Sequence, residues 1–473
     1  MTRVLFLQDM MFEFLGIEQL GAVLKKAGHE CELYITSEDL DYAKKIKEYN
    51  PDFIAFSTAT GHHHIVLAMA KEIKEDILPT TLIVVGGAHP TFYPKFIEED
   101  NIDIICVGEG DYAFLDLANA IQEGKDYTKI KNLWVKKDGR IYSNEMRPLI
   151  ENLDELPFPD RSLYDKYPLI TQIPTRRFLT NRGCPYKCTY CFNHKLAKMY
   201  MNNGDKAKYS RKRSPENLVE EIKLTTAKYK TKLIKFPDDT FTYDREWLLG
   251  FLKLYEKEVK IPFTCLGRAN ELDEEVVIHL KNAGCVNFFF GLESGNDYIR
   301  NTLLKRHMSK EVIIKAGELL KKYKIKFGTY NMFGLPYEDL DKAFETIELN
   351  QKIGVDYPFS TIFQPYPGTE LGDWAKDNGY LEGIESPNAI AVMNEKSIMQ
   401  NKDINQLVNI NRLFFLFVKF PSLTPVLKVM IKAKPNKAYK MIYDAAAAYS
   451  LVSSFGLNFF TSMRLGMKLR NKL

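Results

Sequence analysis

The chain has 473 residues, of which 45% are hydrophobic and 27% are charged. This composition excludes a disordered or fibrous protein, and the length corresponds to about three domains of average size. The net charge of +4 is too small to indicate nucleic-acid binding, so we expect no nucleic-acid partner.

Seven cysteines are present, an odd number, and three of them lie within eight residues. In a chain of this length the pattern excludes a disulfide scaffold and favours a reducing compartment with a metal site. The N-terminus reaches Asp9 before an apolar core of signal-peptide length could form, so we expect a cytoplasmic protein.

The first 125 residues contain short apolar runs separated by segments with helical periodicity. Alternation of this kind predicts a doubly wound parallel sheet of the Rossmann or flavodoxin-like type, which binds ligands at the carboxyl ends of its strands. The runs are Val4–Leu7, Cys31–Ile35, Asp52–Ser57, Thr81–Val85 and Ile102–Val107. The residues that follow them, and are therefore candidates for ligand contact, are Gln8, Asp9, Ser57, Thr58, Gly86, Gly87, Gly108 and Glu109.

This stretch resembles the cobalamin-binding domain that precedes many radical S-adenosylmethionine (radical SAM) enzymes. The resemblance rests on Gly16, Ser57-Thr58, Gly86-Gly87, His89-Pro90-Thr91 and Val107–Gly110, and it implies cobalamin as a cofactor and adds His89 to the candidate contacts. The family's Asp-x-His-x-x-Gly motif is absent, because the chain has Asp9-Met10-Met11-Phe12-Glu13 there. We therefore expect no protein histidine below the cobalt. A flavodoxin-like domain without a corrinoid is the alternative.

Proline and acidic residues mark a boundary after this stretch. The segment Glu155-Leu-Pro-Phe-Pro-Asp160 is typical of an extended connector. We predict a cobalamin-binding domain at 1–149, a linker at 150–175, a second domain at 176–379 and a helical basic region at 380–473.

Cys184, Cys188 and Cys191 follow a strand-like run, Arg177–Thr180. An iron–sulfur cubane normally takes four thiolates, so three would leave one iron open for another ligand. A structural zinc site with His194 as the fourth ligand is the alternative.

The Cys-x3-Cys-x2-Cys spacing resembles the signature of the radical SAM superfamily. The resemblance implies a [4Fe–4S] cluster whose open iron chelates S-adenosylmethionine, with Tyr190 beside the adenine. It also implies reductive cleavage to a 5′-deoxyadenosyl radical, and hence an electron donor such as flavodoxin or ferredoxin.

Five further strand-like runs follow, each ending in a loop with polar residues or glycine, and helical segments lie between them. The runs are Leu233–Phe236, Phe263–Leu266, Val286–Phe290, Lys326–Met332 and Thr361–Phe363. With the strand before the cysteines they predict six strand–helix units, which is a partial (βα)6 barrel with its site at the carboxyl-end rim.

The resemblance implies roles for the residues of these loops. Asp238 and Asp239 are expected near the methionine amino group, and Arg268, Glu293 and Ser294 near the methionine moiety and ribose. Gly334 and Pro336 are expected beside the adenine. Carboxylates suit an ammonium and a guanidinium suits a carboxylate, although each of these residues could instead cap its loop.

The C-terminal region is strongly basic. From Gln406 to Leu473 there are eleven Lys or Arg residues and one acidic residue, Asp444. Leu413–Val418 is wholly apolar, and residues 445–463 carry no charge before a basic end. Docking on an anionic membrane surface, a helical cap over the barrel mouth and a true membrane span are the three interpretations.

Together these features predict a cobalamin-dependent radical SAM enzyme. The favoured reaction is methyl transfer to an unactivated carbon or to phosphorus in a small-molecule or lipid substrate. A radical cyclisation or rearrangement, as in the anaerobic magnesium-protoporphyrin ester cyclase that the layout also resembles, is the alternative within enzymes. A corrinoid or iron–sulfur sensor is the non-catalytic alternative.

Overall fold

The computed structural model describes residues 1–202, 204, 208–381 and 398–454, and these residues form two compact units. The first contains residues 1–173 and 196–209, and the second contains residues 174–195, 210–381 and 398–454. The limits of the domains predicted from the sequence stay a prediction.

Unit one is built on a seven-stranded sheet in the order β2-β1-β3-β4-β5-β6-β7. The first five strands are parallel, and β6 and β7 form an antiparallel hairpin beside β5. This arrangement confirms the doubly wound fold. The strands are β1 (Arg3–Gln8), β2 (Glu30–Ile35), β3 (Phe53–Ser57), β4 (Leu82–Gly86), β5 (Ile104–Cys106), β6 (Leu133–Lys137) and β7 (Arg140–Ser143).

Helices cover both faces of this sheet, so its strands are apolar on both sides, as buried parallel strands are. The helices are α1 (Leu15–Lys26), α2 (Tyr42–Tyr49), α3 (His63–Glu72), α4 (Ala88–Phe92), α5 (Asp111–Gln122) and α6 (Pro168–Thr171). Residues 150–173, predicted as an extended linker, pack instead into unit one. Four of their side chains are buried in the core of that unit: Leu163, Tyr164, Tyr167 and Ile170. Removing their apolar surface from water stabilises the packed arrangement.

Unit two contains six parallel strands in the order β15-β14-β13-β12-β11-β8. It confirms the predicted partial barrel, with β8 and β15 at the two edges of the sheet. The strands are β8 (Thr175–Arg177), β11 (Leu233–Phe236), β12 (Phe263–Gly267), β13 (Cys285–Glu293), β14 (Lys326–Phe333) and β15 (Tyr357–Ile362), and a two-stranded ribbon is formed by β9 (Asn181–Arg182) and β10 (Arg211–Lys212).

The last strand, β15, begins four residues before the predicted run. Pro358 lies inside it, and a proline in a sequence argues against a strand. Proline is tolerated here because β15 is an edge strand. The remaining helices are α7 (Phe192–Asn202), α8 (Pro215–Lys228), α9 (Arg245–Glu258), α10 (Glu274–Asn282), α11 (Lys310–Lys322), α12 (Leu340–Ile353), α13 (Glu370–Asp377), α14 (Ile404–Lys419), α15 (Thr424–Met430) and α16 (Lys437–Ser454).

Helix α14 contains the apolar run Leu413–Val418 and packs on the helix-facing side of β14 and β15. The Phe414 ring lies 5.3 Å from that of Phe333, and Phe417 lies 5.7 Å from Phe344 of α12. This helix therefore extends the outer layer of the barrel and does not cover its mouth. Of the uncharged run 445–463, residues 455–463 lie outside the described residues, as does the basic end after it. None of the described helices is long and apolar enough to cross a membrane.

The core thiols are separate from the cysteine loop. Cys31 and Cys106 are buried in unit one, and Cys265 and Cys285 are buried between the barrel strands and their helices. A hydrogen-atom donor must reach the barrel interior, and these side chains face away from it.

Two fully buried histidines stack on each other in the helices that follow β3 and β4. The rings of His63 and His89 lie 4.1 Å apart and nearly parallel, and His89 Nδ1 is 3.0 Å from Thr60 Oγ1. Burial, with the neighbouring His63 and His64, lowers the pKa of His89 to about 3. The folded state therefore holds this imidazole neutral.

We expect unit one to lose stability in mild acid. Unfolded His89 takes up a proton below a pKa of about 6.5, whereas the folded form does so only near 3, so the contribution is complete above pH 6.5 and falls below it. Between pH 7.5 and 5.0 the loss is about 2 kcal/mol. Urea unfolding followed by tryptophan fluorescence, with Trp134 of β6 as the reporter in this unit, measures it. His89→Phe should reduce the pH dependence, and His279→Phe on α10 should not; equal slopes for the two variants would contradict the assignment.

Candidate active site

The cysteine loop lies between β9 and α7 and is tied to distant parts of unit two. The Thr189 hydroxyl donates to the carbonyl oxygen of Leu303 (2.7 Å), and Leu371 N–H donates to that of Thr189 (2.9 Å). Cys188 is buried, while Cys184 and Cys191 are half-buried. The loop is therefore held in place on one side and open on the other.

Two arginine side chains point at Cys188. Arg306 Nη1 lies 3.5 Å from its Sγ and Arg268 Nη1 lies 3.8 Å from it. Both arginines are less than a tenth exposed, and Arg268 also lies 3.7 Å from the ring of Tyr186 in the same loop. Buried cations at this position favour a negatively charged thiolate or cluster beside them.

Glu293 and Tyr190 complete this network. Tyr190 Oη donates to Glu293 Oε1 (2.9 Å), and Arg306 Nη2 lies 3.8 Å from the same oxygen. Burial raises the pKa of Glu293. Its backbone has φ +66°, and the register between β13 and β14 shifts at this point. A left-handed non-glycine residue is strained and such strain is common at functional sites.

The two aspartates of the next loop differ. Asp238 is buried, and its Oδ1 accepts from the N–H groups of Thr180 (2.8 Å) and Asn181 (3.0 Å). Burial raises the pKa of Asp238 to about 6. Asp239 is exposed and accepts from Asn193. Asp238 thus holds the strand that leads into the cysteine loop, and Asp239 faces the opening.

Near Ser294 and in the glycine–proline loop, side-chain oxygens accept hydrogen bonds from backbone N–H groups. Ser294 is fully buried, and its hydroxyl accepts from Asn296 N–H (3.2 Å). Gly334 has φ +78° and donates its N–H to Glu338 Oε2 (2.6 Å). Pro336 is buried in the same turn. Burial raises the pKa of Glu338 to about 8. Because its Oε2 accepts from the N–H groups of Gly334 and Leu335, this carboxyl group shapes the loop expected beside adenine.

Arg306 and Glu338 were not found from the sequence. Arg306 follows the π-helix Tyr298–Leu303 and not a strand, so the rule that site residues follow strands could not find it. Glu338 could have been found, because it closes the Gly334-Leu335-Pro336-Tyr337 turn and carboxylates commonly accept from turn N–H groups.

A cavity of about 400 Å³ opens beside Tyr190 and Glu293. Its other walls come from β14, β15 and the loop after β15 and are mainly apolar. The Tyr330 and Phe359 rings stack 5.5 Å apart in this wall. The lining is Tyr190, Glu293, Tyr330, Asn331, Met332, Phe359, Ser360, Thr361, Ile362, Phe363, Gln364 and Tyr366.

The three thiols of the cysteine loop are the candidate ligands of a metal group. Within the described part of the chain no three His, Cys, Asp or Glu side chains converge on one metal position. In a zinc site the ligands meet at one ion, whereas in a cubane each thiolate takes a different iron. His194, the fourth ligand of the zinc alternative, lies 3.6 Å from Glu370.

The carboxyl edge of the sheet in unit one is lined by small residues. Ser57 and Gly87 are exposed there, and Asp9, Gly108 and Glu109 are half-buried. Gly87 has φ +96°, and a Cβ there would lie 2.6 Å from the carbonyl oxygen of Thr58. Glycine is therefore required at position 87, because only it lets the loops after β3 and β4 pack this closely at the edge where such sheets bind ligands.

The four other residues predicted for this edge are buried behind it. Gln8 Nε2 donates to the carbonyl oxygens of Met10 (2.6 Å) and Phe12 (2.8 Å), so it shapes the loop after β1. Thr58 and His89 are buried and joined by a backbone hydrogen bond of 3.1 Å. Gly86 is buried at the end of β4. The half-buried Met11 stands where the motif has histidine.

The Gly108-Glu109 turn contacts a tyrosine from later in the chain. Glu109 N–H donates to Tyr200 Oη (3.0 Å), and a Cβ at Gly108 would lie 2.5 Å from that oxygen. Gly108 is therefore required for packing within unit one as well as for its φ of +85°.

Known proteins match both units. A model of the radical SAM superfamily matches residues 178–349, and a model of the B12 binding domain matches residues 12–118. An uncharacterized methyltransferase of Pyrococcus horikoshii is 30% identical over 376 residues, which cover 78% of this chain and 79% of that protein. The anaerobic magnesium-protoporphyrin IX monomethyl ester cyclase of Rubrivivax gelatinosus is 23% identical over 476 residues, which cover 95% of this chain and 80% of that protein.

A solved structure has the same fold. The radical S-adenosylmethionine methyltransferase TsrM from Kitasatospora setae, with tryptophan and an S-adenosylmethionine analogue bound, matches with a TM-score of 0.66 at 15% identity. The match covers 83% of this chain and 80% of that one.

The chain therefore belongs to the radical SAM enzymes that carry a B12-binding domain. It is a cobalamin-dependent radical SAM enzyme, and its cofactors are a [4Fe–4S] cluster, S-adenosylmethionine and cobalamin. The family, the fold class and the cofactors predicted from the sequence are confirmed.

We expect Arg306→Gln to lower the reduction potential of the cluster by tens of millivolts. The reduced cluster carries one more negative charge, and the variant lacks a cation that lies 3.5 Å from Cys188 Sγ. Retention of iron should fall about tenfold, as for other groups that contact a metal ligand. A redox titration followed by electron paramagnetic resonance, without S-adenosylmethionine, measures the shift. Lys305→Gln, which removes the adjacent lysine paired with Glu370, is the control; equal potentials in both variants would contradict the prediction.

Proposed function

We propose that this enzyme is a methyltransferase that acts on an unactivated carbon or phosphorus centre of a small-molecule or lipid substrate. The carrying observation is that one chain combines a cysteine loop facing buried Arg268, Arg306 and Glu293 with a small-residue edge on its B12-binding sheet. The Pyrococcus horikoshii relative, named a methyltransferase, supports the reaction class.

When bound, the cluster supplies the electron that cleaves S-adenosylmethionine to a 5′-deoxyadenosyl radical, and cobalamin supplies the methyl carrier. Cys184, Cys188 and Cys191 hold the cluster. Arg268 and Arg306 neutralise its charge at Cys188, which keeps a reduced and more negative state accessible.

The chain's carboxylates and loops orient S-adenosylmethionine. Glu293 and Asp239 provide negative charge for its cationic groups, and Tyr190 and the Gly334–Pro336 loop border the adenine. Asp238 and Ser294 act as positioning residues, because their side chains hold the backbone of the two neighbouring loops.

Cobalamin binds at the carboxyl edge of the sheet in unit one. Ser57, Gly86, Gly87 and Gly108 let the ring approach the backbone, and Asp9 and Glu109 lie at the rim. Gln8, Thr58 and His89 hold the loops behind that surface. Met11 stands where the family motif has histidine, so this position would offer no imidazole to the cofactor.

The substrate binds in the cavity of about 400 Å³. Its apolar part packs on Tyr330, Phe359 and Phe363, and the reacting atom lies toward Tyr190 and Glu293. A flavodoxin or ferredoxin delivers the electrons. Peripheral contact with the membrane is made by the C-terminal region.

Radical cyclisation without methyl transfer is the second candidate. The cyclase of Rubrivivax gelatinosus matches over 95% of this chain, which is more than the methyltransferase relative covers. The two reactions differ in whether S-adenosylmethionine also gives up its methyl group.

We expect the reconstituted, cobalamin-loaded protein to form both 5′-deoxyadenosine and S-adenosylhomocysteine under reducing conditions. Cys188→Ala should reduce 5′-deoxyadenosine by more than about 100-fold, because the reductive cleavage requires the cluster. Cys265→Ala, which changes a core cysteine, is the matched control. Liquid chromatography with mass spectrometry measures both products. 5′-Deoxyadenosine without S-adenosylhomocysteine would favour the cyclase, and neither product would favour the sensor.

Gly87→Val should abolish retention of cobalamin and leave iron content unchanged. The new side chain meets the Thr58 carbonyl oxygen at a left-handed backbone position and displaces the loops after β3 and β4 that form the edge of the sheet. The visible absorption spectrum after desalting, with iron analysis, measures both. Gly250→Ala, where a Cβ meets nothing within 4 Å, is the control. Full cobalamin retention by Gly87→Val would contradict the proposed position of cobalamin at this edge.

A further inference from the structure

An exposed apolar ridge follows helix α14. Phe420, Leu423, Val426 and Val429 are 49%, 42%, 59% and 68% exposed, and they recur at every third residue. Single exposed apolar residues are ordinary, but four within ten residues form a patch that calls for an explanation.

The ridge is held firmly from behind. Leu427 and Ile431, on the opposite side of α15, are 2% exposed and belong to the core of unit two. The side chain of Asn409, buried in α14, donates to the carbonyl oxygens of Ile431 (3.0 Å) and Ala433 (2.7 Å). The apolar side chains are therefore exposed by a packed segment and not by a loose one.

The segment that carries the ridge is rich in lysine and has no acidic residue. Residues 419–440 contain Lys419, Lys428, Lys432, Lys434, Lys437 and Lys440, and no Asp, Glu or Arg. Lys419 donates to a carbonyl oxygen and Lys440 pairs with Asp444. Lys432, Lys434 and Lys437 are exposed and make no ion pair with any described residue.

We propose that the segment 419–440 docks the enzyme on a bilayer that contains anionic lipids. The apolar ridge enters the boundary between headgroups and acyl chains, and the lysines contact lipid phosphates. Apolar side chains beside lysines are typical of interfacial membrane segments. Protein–protein interfaces, in contrast, are depleted in lysine and enriched in arginine and aromatic residues. The proposal is independent of the reaction that the enzyme catalyses.

Vesicle flotation with the full-length protein tests the proposal. We expect binding to phosphatidylcholine vesicles that contain phosphatidylglycerol, and at least tenfold weaker binding to phosphatidylcholine alone. Val426→Glu with Val429→Glu should abolish binding. The matched control, Leu40→Glu with Ile141→Glu, makes the same change at two exposed apolar residues of unit one and should bind as the unchanged protein does.

The lysines are tested separately. Lys432→Gln, Lys434→Gln and Lys437→Gln together should weaken binding to the anionic vesicles about 100-fold, at about fivefold per lysine. Because these side chains are exposed, iron content and thermal unfolding should not change, so the triple variant tests the proposal even if the glutamate variant fails to fold.

Two results would overturn the proposal. Binding that is equal on both vesicle types, or unchanged in both sets of variants, would exclude this segment as the docking surface. A dimer in sedimentation that becomes a monomer in the glutamate variant, with no vesicle binding by either, would assign the ridge to a second copy of the chain.

Discussion

Two buried guanidinium groups meet the cysteine loop of the barrel. Arg268 and Arg306 are both less than a tenth exposed and both reach Cys188. An uncompensated charge at such depth costs several kcal/mol, and Glu293 alone cannot balance two. The thiol of Cys188 lies within 3.8 Å of both guanidinium groups, where further negative charge is needed. The two arginines, the cysteine loop and the carboxylate of Glu293 therefore form one electrostatic network.

Both units use the same property of parallel sheets. All strands that form the edge point the same way, so residues far apart in sequence meet where those strands end. In unit one this edge is lined by glycine and serine. In unit two it is lined by charged groups, and the shift of register at Glu293 turns its carboxylate toward Tyr190. The same architecture thus provides two different chemical environments in one chain.

The C-terminal helices leave apolar side chains exposed on unit two. Helix α14 covers the outer side of β14 and β15 through Phe414 and Phe417, which places the segment after it at the surface. Burial of Leu427 and Ile431 then presents the opposite side of α15 to solvent. Packing on one side of a short helix thereby determines which of its apolar residues are left exposed.

The sequence by itself determined the two parallel sheets, the family and the positions of the three clustered cysteines and of the glycines after the strands of unit one. These follow from local spacing and from the alternation of strands and helices, which a neighbouring segment does not change. Tertiary structure decided the rest. Arg306 meets Cys188 across 118 residues, and no local pattern encodes that distance. Gln8, His89 and Ser294 follow strands, as ligand-binding residues do, yet their side chains bond to nearby groups. Whether a polar residue at a strand end faces a ligand or its own backbone depends on burial, which only the packed chain specifies.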